Sequence, residues 1–108
     1  MKTADLDRLT ASAAEASGFL RTIANEKRLL VLCQLAEGER SVGDLAALVG
    51  LSQSALSQHL TRLRDDALVA TRRDGQTIYY RLADRRVTAL IELLYREFCK
   101  PGPKGKRP

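Results

Sequence analysis

The stretch that decides the fold is residues 41–69, "SVGDLAALVGLSQSALSQHLTRLRDDALV". Ser41 and Ser52 are both good N-cap residues, and each stands just before a helical pattern of apolar side chains. Asp44 follows Ser41 by three residues, as in a weak capping box. Gly50 can end the first helix in a left-handed conformation. Two short helices joined by a tight Gly-containing turn predict a helix-turn-helix.

The second of these helices is predicted to have two different faces. Leu56, Leu60, Leu63 and Ala67 recur at helical spacing and should form its buried stripe. The other face carries side chains that are mostly short, polar and uncharged: Gln53, Ser54, Ser57, Gln58, Thr61 and Arg62. Gln, Ser and Thr both donate and accept hydrogen bonds, which suits the reading of base edges in a major groove. We therefore expect DNA binding, with N–H groups of the first turn directed at a phosphate.

Residues 68–82, "LVATRRDGQTIYYRL", predict a β-hairpin directly behind this helix. Asp74-Gly75 is a dipeptide that favours a type I′ turn, with a positive φ at both residues. A hairpin in this position is a wing, and we expect Arg72, Arg73 and Gln76 to contact the DNA backbone or the minor groove. For His59, beside the apolar stripe, a local packing role is favoured over a base contact.

Three further helices are predicted around this unit. Residues 3–23 form a narrow apolar stripe that Gly18 should break or bend, and a second helix should run from an Asn25 cap to Gly38. The last helix should begin after Asp84 and end at Pro101. The fold class is therefore mainly α with a small β-hairpin, a winged helix-turn-helix in the order α-α-α-α-β-β-α.

The length and composition of the chain limit the number of domains it can form. A chain of 108 residues with 44% hydrophobic residues fits one domain, here residues 1–99, without disulfides or metals. Residues 100–108, "KPGPKGKRP", carry four basic and no acidic side chains and are too polar to order themselves. A solubilising tail is favoured over a DNA-contacting arm. No apolar run approaches the ~20 residues of a membrane span, so we expect a cytoplasmic protein.

The order of elements and the two quoted stretches closely resemble the ArsR family of bacterial winged-helix repressors, over residues 18–99. The resemblance implies a homodimer whose first and last helices form the interface. It also implies double-stranded DNA with an inverted-repeat operator as the partner, and repression as the activity. The apolar stripes on both terminal helices agree with a dimer, because one small monomer cannot easily cover them.

Many members of that family sense metals, but the expected ligands are missing here. Where arsenic- and cadmium-type members have a pair of cysteines leading into the third helix, this chain has Ser41 and Gly43. Where zinc-type members have Asp and His ligands on the last helix, it has Asp84 and Glu92 and no His. Zn²⁺ needs three or four well-placed ligands. We expect no metal site and no cofactor.

Two cysteines remain, Cys33 and Cys99. Their spacing alone fits ordinary core residues at least as well as a redox pair. The resemblance favours the second interpretation, because one branch of the family responds to sulfide and persulfides through a cysteine in each of these two helices. It implies that reactive sulfur species join Cys33 to Cys99 by a disulfide or polysulfide bridge, which derepresses sulfide-response genes.

Two alternatives to this redox sensor stay open. The chain could be a regulator of the same family that responds to a metal or another signal and has structural cysteines. A thiol enzyme is disfavoured, because it would need a base beside one cysteine, and the single His59 lies on the predicted DNA-binding helix.

Overall fold

The computed structural model describes residues 1–99 as six α-helices and a three-stranded antiparallel sheet in the order β1-β3-β2. The helices and strands are α1 (Thr3–Ala11), α2 (Ala13–Ile23), α3 (Glu26–Ala36), β1 (Arg40–Ser41), α4 (Val42–Val49), α5 (Gln53–Asp65), β2 (Val69–Asp74), β3 (Thr77–Leu82) and α6 (Arg85–Leu94). A π-helical segment, Tyr95–Cys99, continues α6. The predicted disordered tail 100–108, with Pro101 as the end of the last helix, lies outside the described residues. Within residues 1–99, no helix is both long and apolar enough to cross a membrane.

The core is built around α3. Its side chains Val31, Leu32 and Leu35 are buried, and α2, α4, α5, α6 and β3 all contact this helix. The leucines of α5 complete the same cluster together with Leu45 of α4 and Val87 of α6. A winged helix-turn-helix is therefore confirmed, with α4 and α5 as the two helices and β2 and β3 as the wing.

The predicted helix caps of the helix-turn-helix form as expected. The Ser41 hydroxyl accepts a hydrogen bond from the N–H of Asp44, and the Ser52 hydroxyl accepts one from the N–H of Ala55, both at 3.1 Å. Gly50 ends α4 with φ of 70°, a left-handed conformation that glycine adopts without a steric penalty. The two short helices are therefore joined by a tight turn at Gly50, as the sequence predicted.

The predicted buried stripe of α5 is wrong at its last position. Leu56, Leu60 and Leu63 are buried, but the helix ends at Asp65, and Ala67 is exposed with φ of 60°. The N–H groups of Ala67 and Leu68 bond to the carbonyls of Arg64 and Leu63, which is a Schellman motif with Ala67 at the left-handed position. This turn places Leu68, only 1% exposed, in the core instead.

The wing differs from the prediction in its turn. Asp74 pairs with Thr77 at the end of the ladder, so the two loop residues are Gly75 and Gln76. Only Gly75 has a positive φ, 64°, which is the pattern of a type II′ turn rather than a type I′ turn with a positive φ at Asp74. The sheet also gains the short strand β1, whose two residues are too few to give an alternating pattern in the sequence.

The N-terminal region is two helices, and the break lies at Ser12 rather than at the predicted Gly18. Ser12 has φ of −100° and ψ of 5°, while Gly18 lies inside α2. Serine disfavours helix interiors because its hydroxyl competes for backbone hydrogen bonds.

The caps of α3 and α6 are also as predicted. Asn25 accepts a hydrogen bond from the N–H of Arg28, and Asp84 accepts one from the N–H of Arg86. Hydrogen bonds from the Arg86 side chain hold the pKa of Asp84 below its ordinary value, so the capping carboxylate stays ionised.

Ser52→Ala should lower the free energy of unfolding by about 1 kcal/mol, because alanine cannot accept the hydrogen bond of Ala55. Denaturant titration at one fixed protein concentration measures this. Ser54→Ala is the matched control: Ser54 is exposed in the same first turn, and its replacement should stay within ~0.5 kcal/mol of the wild type. Equal losses in the two variants would contradict the cap assignment.

Candidate functional site

The outward face of α5 presents the uncharged polar residues that the sequence pattern indicated. Gln53, Ser54, Ser57, Gln58 and Thr61 are all exposed, opposite the buried leucines. Successive residues turn by about 100° around the helix axis, which brings Ser54, Gln58 and Thr61 together on one side. The Thr61 hydroxyl donates to the carbonyl of Ser57 at 2.9 Å, so its oxygen remains an acceptor. This face can both donate and accept hydrogen bonds without carrying charge.

The N-terminus of α5 adds backbone donors to the same face. The Ser52 hydroxyl satisfies the N–H of Ala55, but the N–H groups of a first helical turn have no carbonyl acceptor within their own helix. The helix dipole makes such a terminus favourable for an anion. A phosphate group beside Gln53 and Ser54 would be such an anion and would accept hydrogen bonds from these N–H groups.

The wing presents Arg73 and Gln76 as exposed side chains. Arg72 is also exposed, but it already has protein partners. Its Nη2 lies 2.8 Å from Glu39 Oε1, and its guanidinium lies 4.5 Å from the centre of the Tyr79 ring. Hydrogen bonding to Glu39 is the main cause that raises the pKa of Arg72. The described contacts use Nε and Nη2, which leaves Nη1 for a further anion.

Arg62 differs from the other predicted DNA contacts because its side chain turns back toward α2. Its Nη2 donates to the hydroxyl of Thr22 at 3.3 Å, and its Nε lies 3.5 Å from Asp66 Oδ2. Nothing in the sequence pattern signalled the Thr22 contact, because Thr22 is 40 residues away from Arg62. The Arg62–Asp66 pair, by contrast, has the i,i+4 spacing of neighbours on a helix.

His59 is half-buried, as the sequence predicted for a residue beside the leucine stripe. Its Nδ1 lies 3.5 Å from Nη1 of Arg28, whose Nε donates to the carbonyl of Thr22 at 2.6 Å. His59 therefore contacts α3 rather than standing free on the outward face of α5.

The two cysteines line one open cavity of about 1170 Å³ between α3 and the α6 region. Cys33 lies in the middle of α3, and Cys99 is the last residue of the π-helical segment. Both thiols are free and partly buried. The remaining walls are mostly apolar, with Leu29, Ile91 and Phe98 among them. Residues far apart in the sequence are thus brought to one cavity.

The two thiols differ in their surroundings. Burial among apolar side chains, and secondarily the negative charge of a Cys99 thiolate, raise the pKa of Cys33. Cys99 stands at the end of its helical segment, next to Phe98, which is 73% exposed. A π-helical turn often marks a functional position, because the inserted residue displaces its neighbours from regular α-helical packing.

Within residues 1–99, no group of three or more His, Cys, Asp or Glu side chains lies close enough together to hold a metal ion. Asp84 serves instead as the cap of α6.

Comparisons with known proteins agree with this geometry. Residues 25–71 match the family model of the bacterial regulatory protein, arsR family. The chain is 48% identical over 96 residues to the transcriptional activator HlyU of Vibrio cholerae, with 89% of each chain covered.

Solved structures resemble the chain over most of its length. A structure of reduced HlyU from Vibrio cholerae N16961 has a TM-score of 0.81 at 48% identity, covering 86% of this chain and 98% of that one. The transcriptional repressor BigR from Xylella fastidiosa has a TM-score of 0.83 at 38% identity, covering 93% and 99%. The chain therefore belongs to the ArsR family of bacterial transcriptional regulators.

Proposed function

We propose that this protein is a homodimeric DNA-binding repressor, whose affinity for an inverted-repeat operator falls when persulfides link Cys33 to Cys99. The observation that carries the proposal is that these two cysteines line one apolar cavity. Cys33 lies on α3, which contacts the recognition helix α5, and Cys99 lies on the segment that continues α6, which contacts α3. Two similar proteins, one described as a repressor and one solved in a reduced form, support the same interpretation.

DNA recognition is assigned to the exposed polar face of α5 and to the wing. Ser54, Ser57, Gln58 and Thr61 read bases or position phosphates, and Gln53 contributes at the helix N-terminus. Arg73, Gln76 and the free Nη1 of Arg72 contact the backbone or the minor groove.

A second copy of the chain is the proposed partner of the terminal helices. Leu9 of α1, Leu20 of α2 and Leu93 of α6 are exposed, as are Tyr95 and Phe98 of the π-helical segment. Exposed apolar side chains on the first and last helices favour an interface that pairs these helices across a two-fold axis. Two copies then present two recognition helices, which must be ~34–36 Å apart to enter successive turns of the major groove.

The proposed switch begins at Cys99. Only a thiolate attacks a sulfur donor, and burial raises the pKa of Cys33, which makes the Cys33 thiolate harder to form. Cys99 therefore attacks the outer sulfur of a persulfide RSSH, giving Cys99–S–SH and releasing RSH. The Cys99 thiolate, whose charge helped to raise the pKa of Cys33, is no longer present at this step. Cys33 then loses its proton to solvent and attacks the inner sulfur, which forms Cys33–S–S–Cys99 and releases HS⁻. No further oxidant is needed, because the persulfide accepts the two electrons.

A longer bridge forms by the same chemistry. If a second RSSH first converts Cys33 to Cys33–S–SH, its terminal sulfur attacks the inner sulfur of Cys99–S–SH. The product is a trisulfide, with HS⁻ released. A direct disulfide requires Cα atoms ~4.4–6.8 Å apart, and each inserted sulfur relaxes that limit. If the two cysteines lie beyond that limit, only the longer bridge forms, and peroxides, which supply no sulfur, cannot form it.

Bridging would act on DNA binding through α3. This helix contacts α4, α5 and α6. A covalent link fixes the α6 region, part of the proposed dimer interface, to the helix that supports α5. A hundredfold loss of operator affinity requires a differential binding free energy of only about 2.7 kcal/mol.

The nearest alternative is a regulator that responds to a metal or another signal and uses its cysteines only for packing. Partial burial of both cysteines among apolar side chains favours that interpretation. A thiol enzyme has less support, because His59, the only His in the sequence, contacts Arg28.

Gln58→Ala should weaken binding to the operator by about 5- to 150-fold per half-site, the usual effect of removing a bidentate hydrogen-bonding partner of a base. Fluorescence anisotropy with a duplex chosen by in vitro selection measures this. Gln34→Ala changes a Gln on α3 rather than on α5; it is the matched control and should bind like the wild type. Equal binding by both variants would remove Gln58 from the interface.

Cys33→Ser and Cys99→Ser should each bind the selected duplex with wild-type affinity but stay bound after treatment with glutathione persulfide. The wild-type protein should dissociate under the same treatment, because only it can form the bridge. Anisotropy before and after treatment, followed by reduction with dithiothreitol, measures the switch and its reversal. Release of either serine variant by the persulfide would contradict the proposed bridge, and a wild-type protein that stays bound would support the alternative with structural cysteines.

A further inference from the structure

Apart from Tyr80, whose ring belongs to the core, Thr22 is the only buried residue with a polar side chain among residues 1–99, and it lies near the end of α2. Its exposed fraction is 0%, so its hydroxyl cannot bond to bulk water. A buried hydroxyl without a hydrogen-bond partner costs free energy of folding. The packing of α2 must therefore keep the partners of Thr22 within hydrogen-bonding distance.

Those partners lie on the recognition helix and its C-cap. The Thr22 hydroxyl donates to the carboxylate of Asp66 and accepts from Nη2 of Arg62 at 3.3 Å. The carbonyl of Gly18, one turn earlier in α2, lies 3.3 Å away and is a second acceptor for the same proton. Arg62 Nε lies 3.5 Å from the same Asp66 oxygen, so the three side chains form a closed triad. A hydrogen bond to a charged acceptor is stronger and more directional than a neutral one.

Arg28 of α3 joins the same region by a second route. Its Nε donates to the main-chain carbonyl of Thr22 at 2.6 Å, and its Nη1 lies 3.5 Å from His59 Nδ1. The end of α2 is therefore connected to α5 both directly, through Thr22, and through Arg28.

The triad contributes more to geometry than to stability. The side chains of Arg62 and Asp66 are 48% and 40% exposed, and they border an open cleft of about 420 Å³. Ion pairs this exposed stabilise a protein little, because solvent screens them. A directional set of hydrogen bonds nevertheless restricts the angle between α2 and α5.

We propose that Thr22 and Arg62 are positioning residues, which with Asp66 fix the recognition helix to α2 and so set the half-site spacing that the dimer reads. The inference rests on the proposed function, since it needs a dimer on DNA. Leu20, two residues before Thr22, is exposed on the same helix and belongs to the proposed dimer interface. The triad thus links the interface to α5, and Arg62 acts here rather than as a phosphate contact.

Thr22→Val tests this, because valine keeps the shape of threonine and lacks the hydroxyl. The probes are the selected duplex and two versions whose half-sites are moved apart by one and by two base pairs. Affinity for the original duplex should fall about tenfold, as for one charge-assisted hydrogen bond. In the wild type, the duplexes with moved half-sites should bind more weakly than the original one. In Thr22→Val this ratio of affinities should shrink about tenfold, because the recognition helices can now turn relative to α2.

Thr10→Val is the matched control. The Thr10 hydroxyl also donates to the carbonyl four residues earlier, that of Leu6 at 2.8 Å, but Thr10 is exposed on α1. This variant should keep the wild-type spacing preference. Thr22→Val with an unchanged spacing preference, or with an equal loss on all three duplexes, would overturn the inference and leave the proposed DNA binding intact.

Arg62→Gln provides a second test, on the same three duplexes, if Thr22→Val fails to fold. A positioning role predicts relaxed spacing with an unchanged dependence of affinity on salt. A phosphate-binding role predicts that the slope of log affinity against log salt falls by about 0.9 for each phosphate that the variant no longer neutralises, which would overturn the inference. If the wild-type protein selects no duplex at all, the proposed function fails and the inference fails with it.

Discussion

Burial of α3 is the constraint on which the other elements depend. Val31, Leu32 and Leu35 lie within one and a half turns of this helix, and four other helices and β3 pack around it. A chain of this size has only one core, so each contacting helix takes its orientation from the same few side chains. The recognition helix α5 follows this rule: three leucines hold it against the core, and its opposite face is free for polar residues.

Helix α3 also brings the proposed sensing site, formed by the two cysteines, close to the proposed DNA-binding helix α5. Cys33 lies on α3 next to buried Leu32, and the cavity it shares with Cys99 opens beside α6. Arg28, one and a half turns earlier on α3, reaches both Thr22 and His59. A change in how α3 and α6 fit together therefore has a short route to α5. Close-packed interfaces of this kind tend to shift between discrete arrangements rather than deform smoothly.

Features set by local chemistry could be predicted from the sequence, whereas features set by distant contacts could not. The caps at Ser41 and Ser52 and the left-handed Gly50 each depend on a few neighbouring residues. The prediction for Ala67 is wrong because a Schellman motif, closed by Leu68 entering the core, ends the helix early.

Two features of the proposed sites have no local pattern at all. The Thr22–Asp66 hydrogen bond joins residues 44 positions apart. The spacing of Cys33 and Cys99 in the sequence does not distinguish a redox pair from core residues, and only a family resemblance favours the pair. Their common cavity follows from the packing of α3 against α6, which depends on apolar contacts along both helices.

The central claim is that the two cysteines form one persulfide-responsive site. Its most direct test is intact-mass and peptide-mapping spectrometry of the reduced protein, treated separately with glutathione persulfide and with hydrogen peroxide. The account predicts an intramolecular Cys33–Cys99 bridge containing extra sulfur, formed by the persulfide and not by the peroxide. Two unlinked or unreactive thiols after persulfide treatment would contradict it and return both cysteines to a packing role.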